Sequence, residues 1–118
     1  MRALSPRATG LVDRDGIAIR YEVYGDGPTS ILLIPPSPIT HACIWKAQIP
    51  HLARRHRVIT FDGRGSGGSG RPTAVTDHTR AANVADIVAV LDATGTGRTV
   101  VAAHCHANWW AVDLIAAH

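Results

Sequence analysis

The residues whose types and spacing could carry chemistry lie in one stretch near the end of the chain, between Thr99 and His118. An apolar run over 99–103 is followed at once by a polar triplet centred on Cys105 and then by an Ala-rich amphipathic segment. A buried strand that leads directly into a helix needs a very tight turn, and the residue at its apex has strained backbone with its side chain presented outward. Ala103 and Ala107, two residues before and after Cys105, are small enough for the close backbone approach of such a turn. The pattern predicts a thiol presented at the apex.

Cys105 in this position has the chemistry of a nucleophile. The thiolate is strongly nucleophilic, and the N-terminus of a helix favours an anion because backbone N–H groups point towards it. One alternative is a small buried cysteine that only packs. Another is a Zn²⁺ site that combines the flanking His104 and His106 with His41 and Cys43. Neighbouring residues point in different directions once a helix begins, so we expect no metal and no cofactor here, and we interpret the flanking histidines as pocket wall or as partners of the turn backbone.

Length and composition describe one globular domain. The chain has 118 residues, of which 46% are apolar and 18% charged, with a net charge of +3. The length is sufficient for one hydrophobic core, and the apolar fraction is too high for a disordered protein. The densest basic spot, 54–57, contains no aromatic residue, so we expect no nucleic-acid binding. The N-terminus lacks the apolar segment of a signal peptide, and no run approaches the roughly 18 apolar residues of a membrane span. Two cysteines make no disulfide framework, which favours a cytoplasmic protein with free thiols.

Hydrophobic periodicity predicts the strands that position the turn. Residues 1–8 have the composition of a flexible tail. Alternating apolar residues over Ile17 to Tyr24 predict a half-buried strand, and Thr9 to Val12 is expected to pair with it as an antiparallel hairpin. Continuously apolar runs are typical of strands that are covered on both faces. There are three of these runs: Ser30 to Ile34, Arg57 to Phe61, and Thr99 to Ala103.

Helices are predicted between these later strands. The first begins near Pro50 after a short turn. The second includes Val84 to Leu91, with an N-cap at Asp77 or Thr79 and a stop at Gly95. The third covers 107–118. The order β-β-β-α-β-α-β-α predicts an α/β fold, with an antiparallel lead-in hairpin followed by a parallel, doubly wound sheet.

This order, together with three local motifs, resembles the N-terminal half of the α/β-hydrolase family over residues 9–118, ending in the helix after the nucleophile turn. The first motif is the strand Ile31 to Ile34, followed by a tight loop and Trp45. The second is Phe61-Asp62-Gly63-Arg64-Gly65-Ser66-Gly67-Gly68-Ser69, which is similar to the family's D-x-R-G-x-G-x-S loop. The third is the turn at Cys105, which is similar to the family's nucleophile elbow with Cys where Ser is usual and Ala where Gly is usual.

The resemblance implies a hydrolase that acts on an ester or on another small acyl or C–C substrate, with Cys105 as the nucleophile. In the family, two backbone N–H groups hold the oxyanion that forms on the attacked carbonyl. One would be that of His106, and the other would come from the loop after the third strand. That loop begins with prolines, which have no N–H, so Ser37 is the first candidate donor. His104 and Trp109 are candidate pocket-lining residues.

The glycine-rich loop has two interpretations. Gly65-x-Gly67-x-x-Gly70 follows a strand and matches the dinucleotide fingerprint, which makes a nucleotide-binding α/β protein a further alternative. Arg71-Pro72 comes next, however, and no helix begins there to offer its N-terminus to a phosphate. The family resemblance implies a structural role instead, in which Asp62 accepts backbone hydrogen bonds and the glycines allow a tight fold.

The family's catalytic acid and histidine follow the nucleophile along the chain, and no residue after Cys105 matches them. An eight-stranded fold at about 30 residues per strand-helix unit needs roughly 240 residues, so we expect this sequence to represent about half of such a fold. The other possibility is a non-catalytic remnant or a binding or assembly half. The strand before the elbow would then form an apolar sheet edge, and we expect self-association through it.

Overall fold

The computed structural model describes residues 3–118, so the first two residues of the expected tail lie outside the described part. Strands β1 (Ala8–Arg14) and β2 (Ile17–Tyr24) form an antiparallel hairpin in a register that runs from Ala8 opposite Val23 to Arg14 opposite Ile17. The predicted hairpin is confirmed. Strand β1 is longer than the expected Thr9 to Val12, because Ala8 at one end and Asp13 and Arg14 at the other still pair with β2.

Three further strands complete one five-stranded sheet: β3 (Ser30–Leu33), β4 (Arg57–Phe61) and β5 (Thr99–Ala102). The strand order is β1-β2-β4-β3-β5. Strand β4 runs antiparallel to β2, whereas β3 is parallel to both β4 and β5. The antiparallel lead-in and the parallel continuation are therefore as predicted, and β5, which carries the site, forms one edge of the sheet. Strands β3 and β5 each end one residue earlier than expected.

Helices connect the parallel strands. A 3-10 turn (Ala42–Trp45) precedes helix α1 (Ile49–Leu52), a second 3-10 turn (Val75–His78) precedes α2 (Arg80–Ala93), and α3 (Ala107–Ala117) follows β5 directly. Thr79 caps α2, since its Oγ1 accepts the Ala82 N–H at 3.1 Å. Gly95, with φ of 61°, ends that helix as predicted. None of the helices that the structure describes is long and apolar enough to cross a bilayer.

The core lies on both faces of the sheet, as expected for a doubly wound arrangement. On one face, α2 and α3 pack Ile87, Val90 and Trp110 against residues of β2, β3 and β4. On the other face, the first 3-10 turn and α1 pack Trp45 and Ile49 against a smaller cluster. Alternate residues of each strand therefore meet different helices. Helix α3 and the first 3-10 turn thus approach the end of β5 from opposite sides.

Candidate active site

Cys105 is the apex of the turn between β5 and α3, as predicted. Its φ is 58°, and within residues 3–118 only Asp15 is another non-glycine residue with positive φ. This left-handed conformation costs an L-residue about 1–2 kcal/mol. The side chain is exposed and the thiol is free. The buried Ala107 donates its N–H to the Pro36 carbonyl at 3.2 Å, so the start of α3 lies directly against the loop that follows β3.

Each histidine beside the apex is paired with an indole ring. The His104 ring meets Trp45 edge to face, with centroids 5.5 Å apart and planes at 90°. The His106 ring meets Trp110 at 5.4 Å and 70°. Both imidazoles are thus engaged in ring contacts with different elements. Within residues 3–118, no three His, Cys, Asp or Glu side chains come together as metal ligands.

The two expected oxyanion donors lie on segments that touch each other. His106 is the N-cap residue of α3, and the first N–H groups of a helix have no partner within the helix. Ser37 follows Pro36, whose carbonyl accepts from the first residue of α3. The Ser37 N–H, however, donates to Thr40 Oγ1 at 3.1 Å, and the Thr40 hydroxyl donates back to the Ser37 carbonyl at 3.0 Å. Its role as an oxyanion donor stays a prediction, and it requires this local bond to open.

Trp109 lies on the first turn of α3 with 58% of its surface exposed. The guanidinium of Arg80 sits 5.1 Å from the centroid of its ring. Arg80 also binds Asp113 through two hydrogen bonds of 2.9 and 2.6 Å. One face of the candidate pocket residue is therefore covered by a cation from α2. The sequence pattern did not predict this pair, because the contact joins residues far apart in the chain.

The glycine-rich loop has the structural role that the resemblance implied. Asp62 accepts the N–H of Ala42 and the N–H of Gly68, both at 2.8 Å. A Cβ on Gly67, whose φ is 52°, would lie 2.3 Å from Asp62 Oδ2, so only glycine fits.

The amides of this loop are already used within the protein. The Gly65 N–H donates to Gly70 O at 2.8 Å, and the Gly70 N–H donates to Ala18 O at 2.7 Å. Dinucleotide binding needs free amides at this position and a helix that begins directly after the loop. Helix α2 begins only at Arg80, so the geometry does not favour the nucleotide-binding alternative.

A buried ion pair fixes the other side of the loop and was not predicted from the sequence. Arg64 donates from Nε and Nη2 to the two oxygens of Asp86 at 2.7 and 2.6 Å, and its Nη1 donates to the Asp77 carbonyl. The side chains are 5% and 1% exposed. The hydrogen bonds to Asp86 raise the pKa of Arg64 despite its burial, so the guanidinium stays charged. The pair ties the loop to α2.

Comparisons with known proteins agree with this fold. A model of the alpha/beta hydrolase fold matches residues 31–107. The chain is 34% identical over 103 residues to epoxide hydrolase A of Mycobacterium tuberculosis, covering 86% of this chain and 31% of that protein. It is 32% identical over 110 residues to the 2-heptyl-3-hydroxy-4-quinolone dioxygenase AqdC2 of Rhodococcus erythropolis, covering 90% of this chain and 39% of that protein.

A solved epoxide hydrolase from Vigna radiata superposes with a TM-score of 0.81 at 28% identity, covering 91% of this chain and 35% of that structure. The chain therefore spans about a third of the length of the relatives it matches.

Proposed function

This chain belongs to the α/β-hydrolase family, and from that premise we propose that it carries the nucleophile of a hydrolase acting on an ester or another small acyl or C–C substrate. Cys105 attacks the acyl carbon, and the oxyanion is held by the His106 N–H and by the Ser37 N–H once the latter has left Thr40 Oγ1. The observation that carries the proposal is the φ of 58° at an exposed cysteine between a strand and a helix. A position that favours glycine but holds a reactive side chain is typical of strain retained for function.

The arrangement around Cys105 supports this chemistry. Helix α3 begins two residues after the thiol, so the positive end of its dipole favours the thiolate and the oxyanion that follows attack. The N–H groups of Ala107, Asn108 and Trp109 themselves donate to backbone carbonyls, which leaves the His106 N–H as the donor proposed on this segment. Trp109 provides an exposed aromatic wall one turn along the helix. The proposal includes a cytoplasmic location, because both cysteines are free and a reducing compartment would keep them so.

A second candidate is the hydrolysis of an epoxide. Two of the proteins compared above are named epoxide hydrolases. Attack of a Cys105 thiolate on an epoxide carbon would leave a thioether, which water does not cleave, so in this candidate reaction water opens the ring and Cys105 is not the covalent nucleophile. Since another relative is named a dioxygenase, the names of the relatives do not determine the reaction of this chain.

The test is acylation of Cys105 by p-nitrophenyl acetate, followed by p-nitrophenol release and by intact mass. The expected result is a burst of one p-nitrophenol per chain, a mass increase of one acetyl group, and an acetylated peptide that contains Cys105. The Cys105→Ala variant should lose the burst. The Cys43→Ser variant is the matched control, because it removes the other thiol and should keep the burst.

Two results would contradict the proposal. Equal acylation of Cys43 and Cys105 would indicate ordinary thiol reactivity, and an unchanged burst in Cys105→Ala would favour a non-catalytic or binding half. Incubation with styrene oxide provides the arm for the second candidate. Formation of the diol from styrene oxide that is unchanged in Cys105→Ala, without acylation by the ester, would favour epoxide hydrolysis.

We also propose that the chain self-associates through the open edge of β5. This strand pairs with β3 alone among the described strands. Val100 on this strand is 55% exposed, and Ile115 on the neighbouring α3 is 69% exposed. An unpaired strand edge beside exposed apolar side chains is a template for pairing with another chain.

A further inference from the structure

We propose that Trp45 is a positioning residue for Cys105, acting through the imidazole of His104. This inference rests on the proposed role of Cys105 as the nucleophile. Trp45 lies some sixty residues before the elbow in the chain and belongs to the opposite face of the sheet from α3. Trp45 can therefore fix the position of the elbow relative to the sheet, whereas a residue of α3 fixes it only relative to that helix.

The contact geometry makes Trp45 a bridge between the core and the elbow. The half-buried indole packs against the cluster that includes Leu33 and Val58, together with Ala102 at the end of β5. Its ring also meets His104 edge to face at 5.5 Å. His104 is otherwise exposed and precedes Cys105 directly. Because the two residues share a peptide bond, movement of the His104 ring and backbone changes the orientation of the apex.

The second ring pair does a different task. His106 and Trp110 are four residues apart, and both belong to the start of α3. Their contact stabilises the first turn of the helix. The contact between Trp45 and His104 joins two segments that are distant in the chain, so of these two ring pairs it is the one that restricts how the elbow can tilt against the sheet.

Trp45 also carries a cost that a purely space-filling aromatic residue would avoid. Its Nε1–H is buried and has no hydrogen-bond acceptor within the described residues. An unsatisfied buried donor destabilises the folded state, and phenylalanine would fill much of the same space without that cost. The edge-to-face contact with the imidazole is an interaction that offsets part of this cost.

The turn that carries Trp45 is itself held by the glycine-rich loop. Asp62 accepts the N–H of Ala42, the first residue of this 3-10 turn, at 2.8 Å. Ser66 Oγ donates to the Thr40 carbonyl at 2.9 Å, two residues before the turn. The loop therefore acts on the elbow indirectly. It holds the 3-10 turn in place, the turn positions Trp45, and Trp45 positions His104.

The test compares Trp45→Leu, Trp45→Phe and a matched control in a Cys43→Ser background. Leu52→Ala is the control, since Leu52 packs against the same cluster but lies on α1. The first readout is the rate of Cys105 alkylation by iodoacetamide in the folded chain, divided by the rate in urea. The second is the acylation rate with p-nitrophenyl acetate. Circular dichroism confirms that each variant is folded at the assay temperature.

We expect Trp45→Leu to move the alkylation ratio at least threefold towards one and to slow acylation by about tenfold, since a misplacement of about 1 Å can cost up to a hundredfold. Trp45→Phe should retain both rates within about threefold, because a smaller aromatic ring keeps part of the contact. Leu52→Ala should leave both unchanged although it destabilises the same cluster.

The two readouts separate this inference from the proposed function. If the unsubstituted background is not acylated, the hydrolase proposal fails, and the alkylation ratio still decides the role of Trp45. A ratio that is the same in Trp45→Leu and in the Cys43→Ser background would overturn the positioning role. The same conclusion follows if Leu52→Ala changes the ratio as much as Trp45→Leu does, or if the ratio is already one before Trp45 is changed.

Discussion

Replacing Cys105 by glycine should make the chain more stable than replacing it by alanine. Both changes remove the thiol, but only alanine keeps a Cβ at a φ of 58°. At most positions in regular structure the order is reversed, because glycine loses more backbone freedom on folding. The comparison therefore isolates the backbone strain at the elbow from the chemistry of the thiol.

The magnitude follows from two opposing effects. A non-glycine residue in the left-handed region costs about 1–2 kcal/mol, which glycine does not incur. The greater freedom of glycine in the unfolded chain offsets about 0.4–1 kcal/mol of that gain. We therefore expect the free energy of unfolding of Cys105→Gly to exceed that of Cys105→Ala by about 0.5–1 kcal/mol.

The assay is urea unfolding followed by circular dichroism, at several protein concentrations so that self-association is detected. Ala111→Gly in α3 is the matched control, and it should lower stability by about 1 kcal/mol relative to the parent chain because its backbone is helical. If Cys105→Gly is no more stable than Cys105→Ala while the control behaves as expected, the elbow stores no strain at Cys105. The main support for a presented nucleophile would then be lost.

Three further predictions concern the Arg64–Asp86 ion pair and the open edge of β5. Arg64→Leu should cost up to about 3–5 kcal/mol, because it removes both hydrogen bonds from the buried Asp86 carboxylate and leaves it only the ion pair with Arg14, whose Nε lies 3.5 Å from Oδ1. Arg64→Leu with Asp86→Leu should recover most of the loss, because the remaining cation, Arg14, is 25% exposed. Equal destabilisation of the single and double variants in urea would contradict this. Because the pKa of Arg64 is raised, its contribution to the free energy of unfolding is fully present below its ordinary pKa and is lost only as the pH rises through the higher pKa of the folded state. The stabilisation by the Arg64 charge should therefore be constant between about pH 6 and about pH 9. Val100→Lys should increase the monomer fraction in sedimentation velocity, because it places a charge on the β5 edge. Val75→Lys is the matched control: it makes the same replacement at a residue that is 87% exposed and lies outside β5, and it should not change the monomer fraction. Identical sedimentation of both variants would exclude association through β5.

Much of the fold was predictable because its signals are local. The alternation over β2, the apolar run of β4, the cap at Thr79 and the stop at Gly95 each depend on residues within one turn or one strand of each other. Short-range sterics and hydrogen bonding determine such features before any tertiary contact forms. The ends of β1, β3 and β5 were less accurate, since pairing with a neighbouring strand decides where a strand stops.

The sequence by itself determined that Cys105 stands at the apex of a strand-to-helix turn, because two small residues and a direct change of period allow little else. Only the tertiary structure decided what surrounds it. The indole of Trp45 on His104, the Arg80 guanidinium over Trp109, and the Thr40 hydroxyl on the Ser37 amide come from different loops and helices. Their proximity depends on the order of strands in the sheet and on the packing of helices across it. No local pattern encodes those distances, so the elbow can be predicted from the sequence whereas its environment cannot.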